Sequence, residues 1–410
     1  MIARAFCAVL CVAVFAEAQY ANNVCISLEA YFKNMTSNPK CWYDPEVDGT
    51  AQERAQNNGF LLEEHQVTTE DEYTLPLYRL KNLDGSYGSQ PIFLQHGMTA
   101  DAACMMVNKE NSISYYLARK GYDVWLGNYR NCDSCTHATL TTSDPKYWDF
   151  SYHENGLYDL PANFEYIKNL TGQKIIHIGH SMGSTGLAAY ASVKPMEAEK
   201  YIKHAILLAP AIYFKKNDDI LGNMVATLNE ILAIFPIIGY DAILTKDSFE
   251  SLALQRFFYS SLDNAKFFHL ALSTIFGKYT HPPEPEKFPV TLNSIKAASF
   301  KTLMHYVQNI RSTEFRMFDY GPEQNKIRYG RETPPDYDLS KITNSISLVY
   351  GLYDTLAGKE NVKAVYQVYH KPNWDIFEIP HNHVDLLFSR DARKTILPLL
   401  SKIIGKAIRK

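Results

Sequence analysis

The sequence lacks the features that are typical of membrane-spanning, repeat and low-complexity proteins. After its N-terminal stretch it has no run of the roughly 18 uninterrupted apolar residues that a transmembrane helix needs. It has no internal repeat and no low-complexity tract. The formal net charge is only −3, which argues against a nucleic-acid partner and offers no basic face to an anionic membrane. The 410 residues suffice for one catalytic domain with a substantial insertion.

Cysteine is sparse, and none follows residue 135. No His/Cys spacing matches a zinc site, so the sequence predicts neither a metal nor a cofactor. Of the seven cysteines, the first two lie in an N-terminal leader, which leaves at most two disulfides and one unpaired thiol. Cys25 with Cys41 is the favoured pair because both lie in one N-terminal arm. Cys132 and Cys135 are expected either to pair with each other or to be halves of two disulfides.

The N-terminus has the features of a secretory signal peptide. Arg4 supplies a positive charge, residues 5–15 are apolar, and residues 16–18 form a small-x-small cleavage site. We therefore expect residues 1–18 to be removed and the chain to be secreted, with delivery to the lysosome as the alternative. Two N-x-S/T sequences are expected to carry glycans in such a chain, at Asn34 and Asn169.

A strand, a sharp turn and a helix are expected around Ser181, in the pattern G-x-S-x-G. The apolar run at residues 175–178 predicts a buried strand, and the small residues at 187–191 predict a helix. This order is typical of the nucleophile elbow of α/β hydrolases. The serine there has a strained backbone, so the residues two before and two after it must lack side chains. The alternative for so short a pattern is an ordinary glycine turn, and the flanking elements favour catalysis.

Strands and helices alternate on both sides of this turn, which predicts a mostly parallel sheet covered on both faces by helices. An antiparallel pair at residues 61–67 and 73–80 is expected at the sheet edge. The alternation stops between residues 213 and 342, where apolar helical stretches such as 221–238 and 249–276 predominate. Strands resume at 345–350 and 374–380.

The predicted fold class is therefore α/β: an α/β-hydrolase fold with a mostly parallel central sheet, helices on both faces and an inserted, mainly helical cap. The expected organisation has four parts: signal peptide 1–18, N-terminal arm 19–59, core 60–212 with 343–410, and cap 213–342.

Candidates for the rest of a triad follow the serine in the order acid, then histidine. Asp354 comes just after the strand expected at 345–350, where the acid should lie. The alternative for Asp354 is a turn residue. Two histidines follow the last strand, His381 and His383. His383 is favoured as the base because it lies deeper in the loop and has better access to Ser181, and Asp385 is expected to cap the turn after it.

An oxyanion hole needs two backbone N–H groups directed at the developing oxyanion. Met182, the residue after the serine, is expected to supply one. Met98 is expected to supply the other, because it follows an early strand that ends in His96-Gly97. The alternative for that loop is a glycine turn with a structural histidine.

With these residues in place, the sequence resembles the acid lipase family that includes gastric lipase and lysosomal acid lipase. The resemblance runs from about residue 44 to the C-terminus and rests on several stretches: EEHQVTTED at 63–71, FLQHG at 93–97, GYDVWLGN at 121–128, WDFS at 148–151, YDLPA at 158–162, TGQ at 171–173 and FDYG at 318–321. The family's H-x-D ending matches His383 as the catalytic histidine.

The departures from the family lie outside the triad. Met182 stands where the family usually has glutamine, and Glu72 stands where it usually has glycine. Cys132 and Cys135 are additions to a loop near the active-site face, and the cap has no cysteine.

The resemblance implies a lipase that acts on acylglycerols or sterol esters at a lipid–water interface, without a cofactor or metal. Two alternatives remain at this stage. One is a soluble short-chain carboxylesterase, against which the long apolar cap argues. The other is a lipase-fold lipid-binding protein with weak catalysis, against which the three triad candidates argue.

Overall fold

The computed structural model describes residues 21–214, 241–281 and 284–409. The expected signal peptide, 1–18, and the helix expected at 221–238 lie outside these ranges. In the described part of the chain, no helix combines the length and the apolar character that a membrane crossing requires.

The core is a nine-stranded sheet that confirms the predicted fold class. Its order is β8-β7-β6-β5-β3-β4-β2-β1, and the short strand Thr136–His137 pairs with β2. Strands β3 to β8 run parallel to one another. Strand β2 pairs antiparallel with β4 on one side and with β1 on the other, and β1 and β2 form the expected antiparallel edge pair. The strands are β1 (Phe60–Thr68), β2 (Tyr73–Asn82), β3 (Pro91–Gln95), β4 (Asp123–Gly127), β5 (Ile175–His180), β6 (Ile202–Leu208), β7 (Ile346–Gly351) and β8 (Trp374–Ile379).

Burial along the strands explains their sequences. Every residue of β3, β4, β5 and β7 is buried, as parallel strands covered on both faces by helices require. The edge strand β1 has exposed positions. Glu72, in the turn between β1 and β2, has a φ of 69°, the left-handed region that favours the glycine usual in the family.

The main helices fall into three groups: those of the core before the cap, those of the cap, and those of the C-terminal part of the core. The core helices are α1 (Ile113–Arg119), α2 (Leu160–Thr171), α3 (Met182–Val193) and α4 (Pro195–Tyr201) before the cap. The segment between β6 and β7, for which we keep the name cap, has the helices α5 (Phe249–Phe258), α6 (Leu262–Phe276), α7 (Phe288–Asn293), α8 (Phe300–Ser312) and α9 (Pro322–Tyr329) among its described residues. The C-terminal helices are α10 (Lys359–Tyr369), α11 (Asp385–Phe388) and α12 (Ile396–Arg409).

The cap departs from expectation in one place. The stretch at 249–276 is not one helical run but the two helices α5 and α6, separated by residues 259–261. Ser261 is the reason, because its hydroxyl accepts the N–H of Asn264 at 3.2 Å and caps the start of α6.

The N-terminal arm has buried contacts with both the cap and the sheet. The disulfide between Cys25 and Cys41 confirms the favoured pair. The ring of Tyr31 contacts that of Phe288 in the cap, with centroids 5.6 Å apart. Ala55, further along the arm, lies in the main hydrophobic core. The arm therefore connects the cap to the core.

Candidate active site

The turn around Ser181 has the strained geometry that its sequence predicts. Ser181 has a φ of 54° and a ψ of −115°, and it stands directly between β5 and α3. A Cβ atom on Gly179 would lie 2.4 Å from the carbonyl oxygen of Gly183. A Cβ atom on Gly183 would lie 2.5 Å from the carbonyl oxygen of Gln95. Both positions therefore exclude any larger residue, for the reason that the sequence indicated.

Asp354 and His383 are brought together from two separate loops at the carboxyl ends of β7 and β8. Nδ1 of His383 donates to Oδ2 of Asp354 at 2.8 Å, and both side chains are buried. The other carboxylate oxygen of Asp354 accepts the N–H groups of Leu356 and Ala357 at 2.8 and 2.9 Å. Since Nδ1 carries the proton, Nε2 of His383 is an acceptor.

Ser181 and His383 line the same cavity, whose volume is about 220 Å³. Their side chains form no hydrogen bond with each other in the described structure, as is common for catalytic pairs without a bound substrate. Asp354 lies behind His383, away from the cavity. His383 thus lies between the carboxylate of Asp354, to which it is bonded, and the cavity that Ser181 also lines.

The cap contributes directly to the position of His383. Phe276, the last residue of α6, stacks on the imidazole with centroids 5.6 Å apart and an interplanar angle of 11°. The backbone N–H of His383 donates to the carbonyl oxygen of Phe276 at 3.1 Å. Sequence reasoning missed Phe276, because no local pattern connects it to a residue more than a hundred positions away.

The capping role expected for Asp385 is wrong. Asn382 caps the turn instead, because its Oδ1 accepts the N–H groups of Val384 and Asp385 at 3.1 and 2.8 Å. The carboxylate of Asp385 accepts the N–H of Thr280 from the cap. An asparagine three residues before a helical turn was the signal that could have identified the cap.

His381, the other candidate base, has a different environment. Its Nε2 lies 2.7 Å from the hydroxyl of Thr395 and its side chain does not line the cavity. Burial lowers its pKa to about 4, with nearby Asp391 opposing that shift. The geometry thus connects His381 to the C-terminal segment rather than to Asp354.

The two candidate oxyanion donors are close in the fold to Ser181. Met182 is the first residue of α3, so its N–H has no acceptor within the helix. Met98 lines the cavity beside Ser181, whereas Met182 is buried behind it. The N–H of Met98 also has no hydrogen-bond acceptor among the described residues.

His96 fixes the loop that carries Met98. Its Nε2 accepts the N–H of Tyr129 at 3.1 Å, so the proton is on Nδ1, which donates to the carbonyl oxygen of Gly97 at 2.7 Å. The Gly97 carbonyl and the Met98 N–H belong to one planar peptide and point in opposite directions. His96 therefore sets the direction of the Met98 N–H. In the sequence analysis this histidine appeared only as a structural residue, in the alternative reading of the loop as a glycine turn.

The remaining wall of the cavity is mostly apolar, and both the cap and the core contribute to it. Leu272 and Phe276 of α6 line it together with Met98 and Leu387 of the core. Apolar walls around a few polar groups are typical of sites for small lipidic ligands.

The structure also shows how the cysteines outside the N-terminal arm are paired. Cys132 pairs with Cys135, the first of the two expected possibilities. Among the described cysteines Cys104 is the unpaired one; it is buried and lines the cavity. Among the described residues there is no group of three or more His, Cys, Asp or Glu side chains that could hold a metal ion.

Comparison with known proteins extends these observations. Residues 51–109 match the partial α/β-hydrolase lipase region, and residues 90–237 match the α/β hydrolase fold. Among solved structures, an α/β hydrolase from Penicillium sp. has a TM-score of 0.51 at 12% identity, covering 85% of this chain and 98% of that one. At that identity the likeness shows the fold alone.

Three curated relatives align over most of their length. Gastric triacylglycerol lipase of Bos taurus is 32% identical over 391 residues, 89% of this chain and 94% of that protein. Lipase member K of Mus musculus is 31% identical over 384 residues, covering 89% and 93%. Lipase 1 of Drosophila melanogaster is 31% identical over 362 residues, covering 85% and 78%. The chain therefore belongs to the acid lipase family, a family of carboxylic ester hydrolases with the α/β-hydrolase fold.

Proposed function

We propose that the chain is a serine lipase that hydrolyses esters of neutral lipids, either triacylglycerols or sterol esters or both. The observation that carries the proposal is the 2.8 Å bond between His383 and Asp354 at a cavity that Ser181 also lines. The strained φ of 54° at Ser181 supports it, because the turn projects the side chain away from the sheet.

In the proposed mechanism, Ser181 Oγ attacks the ester carbonyl while Nε2 of His383 takes its proton. Asp354 orients the imidazole and stabilises the imidazolium. The N–H groups of Met98 and Met182 hold the oxyanion. His383 then gives the proton to the leaving alcohol, which leaves the acyl group on Ser181. A water molecule, deprotonated by His383, hydrolyses that acyl-enzyme and releases the fatty acid.

The surface of the cap supports a role at a lipid–water interface. Phe249 and Phe257 of α5 are 86% and 46% exposed, and Phe267 and Leu270 of α6 are 52% and 62% exposed. The rings of Phe257 and Phe267 contact each other with centroids 6.4 Å apart, which joins the two helices into one exposed apolar patch. Such patches are typical of surfaces that meet another apolar phase.

Secretion is the proposed location, with the lysosome as the alternative. Two disulfides accord with an oxidising compartment. Asn34 and Asn169, the proposed glycosylation sites, are both exposed and therefore accessible.

The test compares three substrates on the purified protein: triolein, cholesteryl oleate and p-nitrophenyl butyrate, from about pH 4 to about pH 8, where carboxylate and imidazole groups titrate. We expect turnover of at least one long-chain lipid by the wild type and none by Ser181→Ala. Turnover of the butyrate alone would make the protein a short-chain carboxylesterase. Binding of the lipids without turnover of any ester would make it a lipid-binding protein.

An active-site phosphonate identifies the nucleophile independently. It should label the wild type and leave Ser181→Ala unlabelled, because a phosphonate reacts with an activated serine oxygen. Labelling that persists in the alanine variant would contradict the role of Ser181. Loss of a triad member typically costs on the order of 10⁴–10⁶-fold in kcat.

A further inference from the structure

His269 is a polar residue of the cavity that the proposed mechanism does not use. It lies on α6 and lines the same cavity as Ser181 and His383. Both of its ring nitrogens are shielded from solvent, and neither has a hydrogen-bond partner in the described part of the chain. A buried polar group without a partner destabilises the state in which it stays unpaired, so a ligand that bonds to it is favoured.

Two other ionisable side chains of the cavity, Lys287 and His281, already have carboxylate partners. Nζ of Lys287 lies 2.8 Å from the carboxylate of Glu284, and Nε2 of His281 lies 2.5 Å from that of Asp391. Among the described residues that line the cavity, His269 is the one whose solvent-shielded polar atoms have no hydrogen-bond partner, so a bound molecule could satisfy them.

The surroundings of His269 define the chemistry of that molecule. Its ring contacts those of Phe268 and Phe288, with centroids 5.7 and 5.8 Å apart. Burial lowers its pKa, so the imidazole is neutral in the folded protein near neutral pH. A neutral imidazole has one N–H donor and one nitrogen acceptor. A hydroxyl group complements both of these, whereas an ester carbonyl accepts but does not donate.

The position of His269 on α6 gives its distance from Phe276, the residue that stacks on the candidate base. Phe276 follows His269 by seven residues, so their backbones are separated by on the order of 10 Å along α6. A fully extended chain advances roughly 1.2 Å per bond, since three backbone bonds span about 3.6 Å. A free hydroxyl on the glycerol of a partial glyceride is only a few bonds from the ester, whereas a hydroxyl in the middle of an acyl chain spans the distance.

We propose that His269 is a specificity-determining residue that binds a hydroxyl group of the lipid substrate, with a mid-chain hydroxyl on the acyl group as the favoured source. This inference rests on the proposed esterase function of the same cavity. It predicts that the enzyme prefers a hydroxylated acyl ester to its plain analogue, because a site with an unpaired polar group rejects a ligand that cannot bond to it.

The experiment compares kcat/KM for methyl 12-hydroxystearate and methyl stearate in the wild type and in His269→Phe. The kcat/KM for the hydroxystearate divided by that for the stearate should be roughly tenfold lower in His269→Phe than in the wild type, which is the loss expected for one buried hydrogen bond. His269→Gln, which keeps a donor and an acceptor, should restore part of the ratio. Leu272→Met alters the same wall without a hydrogen-bonding group, so it should change both esters alike.

Two further arms complete the design. Monoolein against methyl oleate tests the free glycerol hydroxyl as the source, and a His269-dependent preference in either pair supports the proposal. Binding of both stearates to Ser181→Ala measures the contact without turnover, so a failure of catalysis is distinguished from a failure of the contact. Equal ratios in wild type and His269→Phe for both pairs, in turnover and in binding, would overturn the inference.

Discussion

Phe276 of the cap stacks on His383 of the core with centroids 5.6 Å apart, and its carbonyl oxygen accepts the His383 N–H at 3.1 Å. The cap therefore does more than cover the cavity, because it fixes the ring and the backbone of the candidate base. Asn382 strengthens this junction, since its amide donates to the carbonyl oxygen of Gly277, the next residue of the cap, at 2.8 Å.

The two histidines after β8 should respond oppositely to the same substitution. His383→Gln removes the group bonded to Asp354, so it should lower kcat by on the order of 10⁴-fold or more while the fold is retained. His381→Gln affects a side chain held by Thr395 and should leave substantial activity. Initial rates and thermal unfolding of both variants check this. The reverse pattern would assign the base to His381.

Gly277 should be intolerant of a side chain. It has a φ of 95°, and a Cβ atom there would lie 1.8 Å from the carbonyl oxygen of Tyr353, which directly precedes Asp354. Gly277→Ala should therefore displace the acid loop, and a displacement of about 1 Å is enough to lower kcat roughly 100-fold.

Gly330→Ala is the matched control for this prediction. Gly330 also has a positive φ, 72°, but no atom lies within 4 Å of the added Cβ. The Gly330→Ala variant should therefore lose about 1–2 kcal/mol of stability from backbone strain alone, and its kcat should equal that of the wild type. An equal fall of kcat in the two variants would show that the contact between Gly277 and Tyr353 does not affect catalysis.

His96 should act on catalysis through the direction of the Met98 N–H. His96→Phe removes the bond to the Gly97 carbonyl oxygen, so we expect kcat to fall up to roughly 10²–10³-fold, the cost of one oxyanion donor, with little change in KM. His96→Asn keeps an N–H donor and should recover part of the loss. Steady-state kinetics with unfolding measured in parallel check this. A rise in KM with an unchanged kcat would contradict a positioning role.

His177 should make folding sensitive to acid. Its Nε2–H donates to the carbonyl oxygen of Gly183 at 3.3 Å, and burial lowers its pKa to about 3. In the unfolded chain a histidine has a pKa of about 6.5. Below that pH the unfolded state binds a proton that the folded state does not. The stabilisation is therefore complete above about pH 6.5 and is lost as pH falls towards 3.

Urea unfolding of His177→Gln across that pH range checks the prediction. The pH dependence of its unfolding free energy should be shallower than that of the wild type by up to about 1.4 kcal/mol per pH unit. Parallel curves for the two proteins would contradict a neutral buried His177.

The sequence by itself determined the features that depend on local pattern. The apolar run before Ser181 and the two glycines around it predicted the strand, the turn and the helix, because burial and steric exclusion act on neighbouring residues. The pair Cys25 and Cys41 was favoured because both lie in one short arm, but spacing alone does not determine a disulfide, and the structure established the pair. The division of 249–276 at Ser261 was missed, because both halves are apolar and the cap residue alone marks the break.

Only the tertiary structure decided how the loops fit together. The bond from His383 to Asp354, the stacking of Phe276 and the unpaired ring of His269 each join segments whose spacing along the chain carries no periodic signal. Hydrogen bonds and ring contacts between loops depend on where each loop ends in space. That position is set by the sheet order and by the packing of the cap, so it becomes visible only when the chain is folded.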